Sequence, residues 1–355
     1  MFKNIGTTVA SLLVVSTALA SDYADLAFHH APIHYQDTDN SDYKQDYITA
    51  INYDNDWVSE NNWDNFQNGE WPAVAYYSVV ESCSHFFISY SFFHARDWSE
   101  IPFDPEHEND LEGVLMLVEK DNSTFGTLQA MVTVFHGHFY SYTQSNSGLT
   151  EGEESIDGQI YFENHQGVNR AKTAQEAKGH GIKTWPDIRN FTGQSNQDGI
   201  IYYPSRNSND YPENGNDRFV TYGLVDIFST NGLWFQAIRE AESPDDTFNE
   251  WGNFRGNKSG SCGAGWLTCS ENSANTPWGW DDYNDGASYR GEFALDPGNL
   301  MNHYFNSQRP ISEVYLVNRY LTDLRNLGFN NQHEPAGFPE QLSLNSMYQK
   351  LGSCS

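Results

Sequence analysis

The segment from His107 to Glu112 carries the strongest concentration of side chains that could bind a metal ion or a proton. It leads directly into the apolar residues 114–118, which are typical of a buried strand. Alternate residues of an extended strand share a face, so Asp110 and Glu112 point the same way, and His107 can curl back from the preceding turn. Two carboxylates and an imidazole that converge on one point require a cation or a proton between them. The segment therefore predicts a divalent metal site.

The chemistry of these side chains favours calcium or magnesium. Carboxylate-rich sites suit such hard cations, and Asp97, at the end of the preceding strand, could supply another carboxylate. We therefore predict Asp97, His107, Asp110 and Glu112 as metal ligands, with Ca²⁺ or Mg²⁺ as the cofactor. The alternative is an acidic turn exposed to solvent, an interpretation that suits Glu108 well.

Three further histidines could act as a general acid or base. His136 and His138 are two residues apart at the end of an apolar run, and His180 lies between two glycines. A neutral imidazole is a common proton carrier near neutral pH. His136, His138 and His180 are therefore the candidate catalytic residues. The alternative for each is a histidine that only forms hydrogen bonds within a loop.

A tryptophan-rich segment, residues 276–286, contains Trp278 and Trp280 beside Asp281 and Asp282. Paired tryptophans with acidic and amide neighbours suit stacking on a sugar ring and recognition of its hydroxyls. The alternative is that both tryptophans close the end of the hydrophobic core.

Strand-like runs, rich in β-branched and aromatic residues, must position these groups. We predict strands at 75–80, 85–93, 113–119 and 127–135, and later strands at 159–163, 200–203, 219–227 and 233–238. Consecutive apolar residues in the first group predict strands buried on both faces. An amphipathic helix is predicted over 311–327 and a shorter one over 171–178. The predicted fold is mainly β (α+β), a β-sandwich with peripheral helices and long loops.

The beginning of the chain has the features of a secretory signal peptide. Lys3 precedes an apolar run from Val9 to Ala20, which ends in small residues. The run is shorter than the roughly 20 apolar residues that span a bilayer, which disfavours the alternative of a membrane anchor. We predict a signal peptide at residues 1–20, a single domain at 21–355 and a secreted protein without a transmembrane segment.

The chain is strongly acidic, with 48 Asp and Glu residues against 19 Lys and Arg and a formal charge of −29. Such a protein repels nucleic acid, so no nucleic-acid partner is expected. Aromatic residues make up 15% of the chain, which excludes a disordered acidic protein. The sequence leaves the oligomeric state open.

Four cysteines in a secreted chain predict two disulfides. Three pairings are possible, and we favour Cys262–Cys269 with Cys83–Cys354. A zinc site is the alternative, although the paired Cys-x-x-Cys spacing of such sites is missing. Sequons at Asn122, Asn190 and Asn257 would allow a glycoprotein.

The stretch from Tyr90 to Tyr140 resembles the necrosis- and ethylene-inducing-like protein family. The matching features are the His-x-x-Asp-x-Glu pattern of residues 107–112, the upstream Asp97 and the pair His136-Gly137. The whole chain also resembles the vacuolar protein sorting-associated protein 62 family, through residues 107–113, 179–181 and 277–282. The resemblance implies a β-sandwich with a bound divalent cation and, for the necrosis-inducing family, membrane damage through a sphingolipid headgroup.

Three functions are compatible with these patterns. We expect a metal-binding, cytolysin- or effector-like protein that docks a glycan or lipid headgroup. The alternative is a secreted divalent-metal-dependent hydrolase that uses the same His, Asp and Glu cluster, and the third is a structural protein. An open cleft with two histidines within about 3 Å of a metal-bound water would favour the hydrolase. A shallow surface cavity would favour binding.

Overall fold

The computed structural model describes residues 23–39, 41–67, 69–99, 106–121, 123–186, 199–240, 246–257, 272–283 and 289–354. The helices are α1 (residues 23–30), α2 (Asn62–Phe66), α3 (Leu233–Glu240), α4 (Glu292–Leu295), α5 (Pro297–Tyr304), α6 (Arg319–Asn326) and α7 (Leu344–Gln349). Short 3₁₀ helices lie at Tyr43–Asp46 and Ser59–Asn61.

The first strands are β1 (Ile33–Gln36), β2 (Val74–Ser82), β3 (His85–Asp97), β4 (His107–Glu119), β5 (Thr127–Phe135) and β6 (His138–Thr143). Then come β7 (Thr150–Glu151), β8 (Gly158–Gln159), β9 (Phe162–His165), β10 (Val168–Gln175), β11 (Ile182–Thr184), β12 (Ile200–Pro204) and β13 (Val220–Asp226). The last are β14 (Phe248–Glu250), β15 (Asn253–Arg255), β16 (Asn272–Asn275), β17 (Phe305–Asn306) and β18 (Tyr315–Val317).

Thirteen strands of the described part of the chain form one mixed sheet. Its order is β11-β10-β1-β12-β13-β2-β3-β4-β5-β6-β8, with β9 beside β10 and β18 beside β2. Strands β2 to β6 form an antiparallel meander, whereas β1 runs parallel to β10, and β13 runs parallel to both β12 and β2. The meander contains the four strands predicted between residues 73 and 140.

The sheet curls so that its two halves face each other across a hydrophobic core. Ile88 and Met116 of the meander belong to the same buried cluster as Ile182 and Tyr202 of the other half. The edge strand β11 comes close to β5 as a result. The molecule is thus mainly β, with two layers formed by one curled sheet, and the predicted fold class is confirmed.

The opposite face of the meander carries a second hydrophobic core. Phe87 and Leu117 point to this side, because side chains alternate along a strand. Helices α3 to α7, the small sheet β14–β16 and the segments that connect these elements supply many of its other members, among them Trp234 on α3 and Trp278 after β16. The central strands are therefore covered on both faces, as their uninterrupted apolar residues predict.

Helix α1 is fixed to the sheet by a buried arginine. Nη1 of Arg170, on β10, donates hydrogen bonds to the carbonyl oxygens of Phe28, His29 and Ala31 at 2.6, 3.1 and 3.1 Å. The last carbonyls of a helix lack partners within the helix and carry its negative dipole end. A buried cation here satisfies both demands.

A disulfide joins Cys83 to Cys354, as predicted. The proposed Cys262–Cys269 pair and the proposed signal peptide lie outside the described residues. None of the described helices is long and apolar enough to cross a membrane.

Four predicted elements are wrong or only partly right. The strand predicted at 159–163 is interrupted, since β8 ends at Gln159 and β9 begins at Phe162. Residues 233–238 form helix α3, because Leu233, Trp234, Ala237 and Ile238 make a helical stripe against the second core. Residues 171–178 do not form a helix; most of them belong to β10, where pairing with β1 and β11 overrides their helix propensity. The helix predicted over 311–327 is shorter, since β18 pairs with β2 before α6 begins.

Candidate functional site

The antiparallel register of β3 and β4 brings the predicted metal ligands together. Asp97 lies directly opposite His107, and Asp110 lies opposite His94. Nε2 of His107 is 3.4 Å from Oδ2 of Asp97. Its Nδ1 is 2.9 Å from the carbonyl oxygen of Asn109. His107 therefore lies in β4 itself, with its ring turned towards Asn109, whereas the sequence predicts a position in the preceding turn.

Asn109 explains how His107 reaches the same side as Asp110 and Glu112. Its φ of 60° is left-handed, a conformation that asparagine tolerates better than most residues. This residue interrupts the strand alternation, so His107 joins the face of the two carboxylates. The Asn109 side chain points the other way and donates to the carbonyls of Ser59 and Arg255 at 2.9 and 2.8 Å.

Glu108 is not an exposed acid, which corrects the solvated-turn interpretation of this residue. It is fully buried and accepts hydrogen bonds from the backbone N–H groups of Trp63 and Asn257, both at 3.0 Å. Glu108 and Asn109 thus fasten the beginning of β4 to two neighbouring segments. Their role is to hold the strand that carries the candidate ligands.

The turn between β5 and β6 forms the next part of the site. His136 and Gly137 have φ values of 52° and 75°, as a two-residue type I′ hairpin requires. The N–H of His136 donates to Oε1 of Glu112 at 3.2 Å, and its Nε2 pairs with Oε1 of Glu176. The ring of Tyr283 packs on Gly137, where a side chain would collide with it.

These elements surround a cavity of about 280 Å³, called here the acidic cavity. All four predicted metal ligands line it, together with His136. The remaining wall residues include Asn275, Trp280, Asp281 and Tyr283. The cavity opens to solvent at His136, whose side chain is 40% exposed, and at Tyr283, which is 69% exposed.

The charges around the acidic cavity are not balanced. Burial raises the pKa of Glu112 well above its usual range, and the charge of Asp110 adds to this effect. Burial alone would lower the pKa of His107, but the hydrogen bond to Asp97 and the charges of Asp97 and Asp110 raise it to about 9. Oε2 of Glu112 is buried and has no hydrogen-bond partner in the described structure. The raised pKa favours the protonated form of Glu112 unless a cation lies beside it.

His180 lies behind the cavity rather than in it. It is fully buried, with Nδ1 2.9 Å from Oδ2 of Asp110 and Nε2 3.3 Å from Oδ1 of Asp46. Its ring stacks on that of His94, with the centroids 3.7 Å apart. His180 thus links Asp110 to a second buried carboxylate.

Asp46 was missed by the sequence reasoning. Its Oδ1 also accepts from Nε1 of Trp98 at 3.1 Å and from the N–H of Lys178 at 2.8 Å, and its Oδ2 accepts from the N–H of Asp39 at 2.8 Å. Asp46 lies in a polar stretch more than 50 residues before Asp110, so no local pattern marks it.

The other candidates are spread around the site. His138 is half-buried and does not line the acidic cavity. Trp278 is fully buried in the second core, whereas Trp280 forms a cavity wall and donates to the carbonyls of Leu111 and Asn275 at 3.1 and 2.8 Å. Among the described residues, no three His, Cys, Asp or Glu side chains are already arranged to hold a metal ion.

No protein-family model matches the chain, and no curated protein is significantly similar to it. The resemblance to the vacuolar protein sorting-associated protein 62 family therefore has no support from these comparisons. Structures of necrosis- and ethylene-inducing-like proteins are among those similar to this chain.

NLPPya in complex with mannosamine is 14% identical, with a TM-score of 0.33 over 79% of this chain and 90% of that chain. The non-toxic HaNLP3 protein is 12% identical, with a TM-score of 0.26 over 46% and 69%. Necrosis and ethylene inducing protein 2, from the causal agent of cocoa's witches' broom disease, is 11% identical, with a TM-score of 0.24 over 45% and 66%. These scores are too low to transfer a function.

Proposed function

We propose that this chain is a secreted, metal-binding, cytolysin- or effector-like protein that docks a glycan or lipid headgroup in the acidic cavity. One observation carries the proposal: Oε2 of Glu112 is buried without a hydrogen-bond partner, beside Asp110, in a cavity that opens to solvent. An unpaired buried carboxylate is costly unless a proton or a cation compensates it. A bound cation would remove that cost.

The donor atoms around the acidic cavity are of the types that suit a calcium or magnesium ion. Asp97, Asp110 and Glu112 offer carboxylate oxygens, and His107 offers an imidazole nitrogen, around one cavity. A bound cation would supply positive charge and free coordination positions for ligand hydroxyl or phosphate oxygens. The residues of this chain would hold the cation and place Tyr283 and Trp280 at the ligand.

Binding is favoured over hydrolysis by the positions of the three candidate histidines. His180 is fully buried and engaged by two carboxylates, and His138 does not line the cavity. His136 does line it, but its Nε2 pairs with Glu176. A hydrolase would need a second imidazole facing a bound water, whereas exposed Tyr283 suits stacking on a sugar ring.

Secretion is supported by the disulfide between Cys83 and Cys354. Such bonds persist in oxidising compartments and are rare in the cytosol. The signal peptide predicted at residues 1–20 agrees with this location.

The test compares Glu112→Gln with the wild type in calcium and in chelator. Glutamine can keep the hydrogen bond from the His136 N–H while it removes the charge, so this variant is cleaner than a change at Asp110, which His180 also holds. Calcium at about 100 times its dissociation constant should stabilise the wild type by about 2.7 kcal/mol. Glu112→Gln should gain no stability from calcium. With chelator present, this variant should be as stable as the wild type or more stable.

Glu163→Gln is the matched control, because Glu163 lies on β9 and does not line the acidic cavity. It should respond to calcium as the wild type does. Elemental analysis, followed by glycan and lipid arrays with and without calcium, identifies the metal and the ligand. A wild type that contains no divalent metal and gains no stability from calcium or magnesium would contradict the proposal.

A further inference from the structure

A second cavity, of about 450 Å³, lies away from the acidic cavity and shares no residue with it. Helix α1 contributes Phe28, β2 contributes Tyr77, and β13 contributes the residues from Gly223 to Val225. The loop 205–209 forms another part of the wall, and its residue Arg206 gives the site the name Arg206 cavity. Its volume is within the range of sites that enclose a small organic ligand.

The charged residues that line the Arg206 cavity differ from those of the acidic cavity. The chain has 48 acidic residues, yet the described residues that line this cavity include no Asp or Glu and one cation, Arg206. A cation in a wall that contains no carboxylate favours an anionic ligand, which would compete with Asp25, outside that wall, for the guanidinium group.

Arg206 is held in a defined orientation. One Nη atom lies 2.7 Å from Oδ1 of Asp25, and the guanidinium lies over the Phe28 ring, 4.2 Å from its centroid. Asp25 is 52% exposed, so this ion pair is weak, and it occupies only part of a group with five N–H donors. The remaining donors are available to a carboxylate, whose shape the guanidinium matches.

Hydrogen bonds hold the loop around Arg206 in a defined conformation. The N–H of Ser205 donates to the carbonyl of Tyr222 at 2.9 Å, and Oγ of Ser205 accepts from the N–H groups of Asn207 and Ser208, both at 3.2 Å. The N–H of Asp210 then donates to the carbonyl of Thr221 at 2.8 Å. These bonds hold the backbone of the loop, and thus the positions from which its polar side chains project.

We infer that the Arg206 cavity binds a hexuronic acid, a sugar ring that carries a carboxylate. Arg206 would bind the carboxylate, and the amides of Asn207 and Asn209 and the hydroxyl of Ser208 would bind ring hydroxyls. Tyr77 and Leu224, which line the cavity, supply an apolar surface for the C–H face of the ring. A simple inorganic anion would leave most of the volume and the amide groups unused.

The test measures binding of galacturonate and of galactose by ligand-observed NMR, with chelator present so that no cation contributes. The wild type should bind galacturonate roughly tenfold more tightly or better, because a charge-assisted hydrogen bond distinguishes the two sugars. Arg206→Gln should reduce the affinity for galacturonate to that for galactose. The variant should fold normally, since the Arg206 side chain is 46% exposed, and thermal unfolding checks this.

Two controls make the result specific. Arg309→Gln removes a cation that is 76% exposed and lies outside the cavity, so it should bind like the wild type. Glu112→Gln should also bind like the wild type, because the acidic cavity is separate. Equal affinities for galacturonate and galactose, unchanged binding by Arg206→Gln, or loss of binding by Glu112→Gln would each overturn the inference.

A comparison of galacturonate with its oligomers then identifies the source of the ligand. Tighter binding of the oligomers indicates a polysaccharide, and equal binding indicates the free sugar acid.

Discussion

Removal of the Cys83–Cys354 disulfide should cost more stability than removal of any local cross-link. The two cysteines are 271 residues apart in the sequence. If the bond acts by restricting the unfolded chain, a loop of that length corresponds to about 5.5 kcal/mol at 25 °C, as an upper value. Helix α7, with Leu344 and Met347 buried, holds the C-terminal segment to the core in the folded state. The loss should therefore come from the unfolded state.

The variant is the double replacement Cys83→Ala with Cys354→Ala, and the assay is urea unfolding followed by intrinsic fluorescence. Its control is Cys262→Ala with Cys269→Ala, which opens the predicted local disulfide and should cost about 2.5 kcal/mol by the same relation. The transition midpoint of the first variant should fall further than that of the control. A change of less than about 1 kcal/mol for the Cys83 and Cys354 variant would refute the reasoning.

Two other changes test the interior. Asp46→Asn should lower the free energy of unfolding by about 3 kcal/mol, because it leaves buried His180 without one of its two carboxylate partners. Urea unfolding measures the loss, and the control is Asp42→Asn, which changes a more exposed ion pair. Equal small losses for the two variants would contradict the prediction. Burial raises the pKa of Glu292 to about 7. The contribution of Glu292 to the free energy of unfolding is therefore largest below about pH 4.5. About 3 kcal/mol of this contribution is lost as the pH rises through 7. Glu292→Gln should flatten this part of the stability profile, and an unchanged profile would count against it.

The meander could be predicted from the sequence because its strands are long, apolar and buried on both faces. The short run 233–238 could not, since periodicity cannot distinguish a buried strand from a buried helix at that length. Residues 171–178 favour a helix locally, but their partners in the sheet lie far away in the sequence.

The candidate site shows the same division. The proximity of Asp97, His107, Asp110 and Glu112 follows from one hairpin-like register and was predictable. The buried position of Glu108 depends on Trp63 and Asn257, and that of His180 depends on Asp46. These contacts arise from the curl of the sheet and its packing, which no local spacing encodes. The Arg206 cavity likewise joins three distant segments.

The position of β1 in the sheet sets the order in which the molecule can be completed. This strand, near residue 33, pairs with β10 and β12, which begin at Val168 and Ile200. The meander from β2 to β6 needs only neighbours in sequence, so its strands can pair as the chain emerges. Strand β1 instead keeps its backbone hydrogen-bonding groups without sheet partners until more than 130 further residues have been made. The earliest strand to be synthesised is thus among the last to be enclosed.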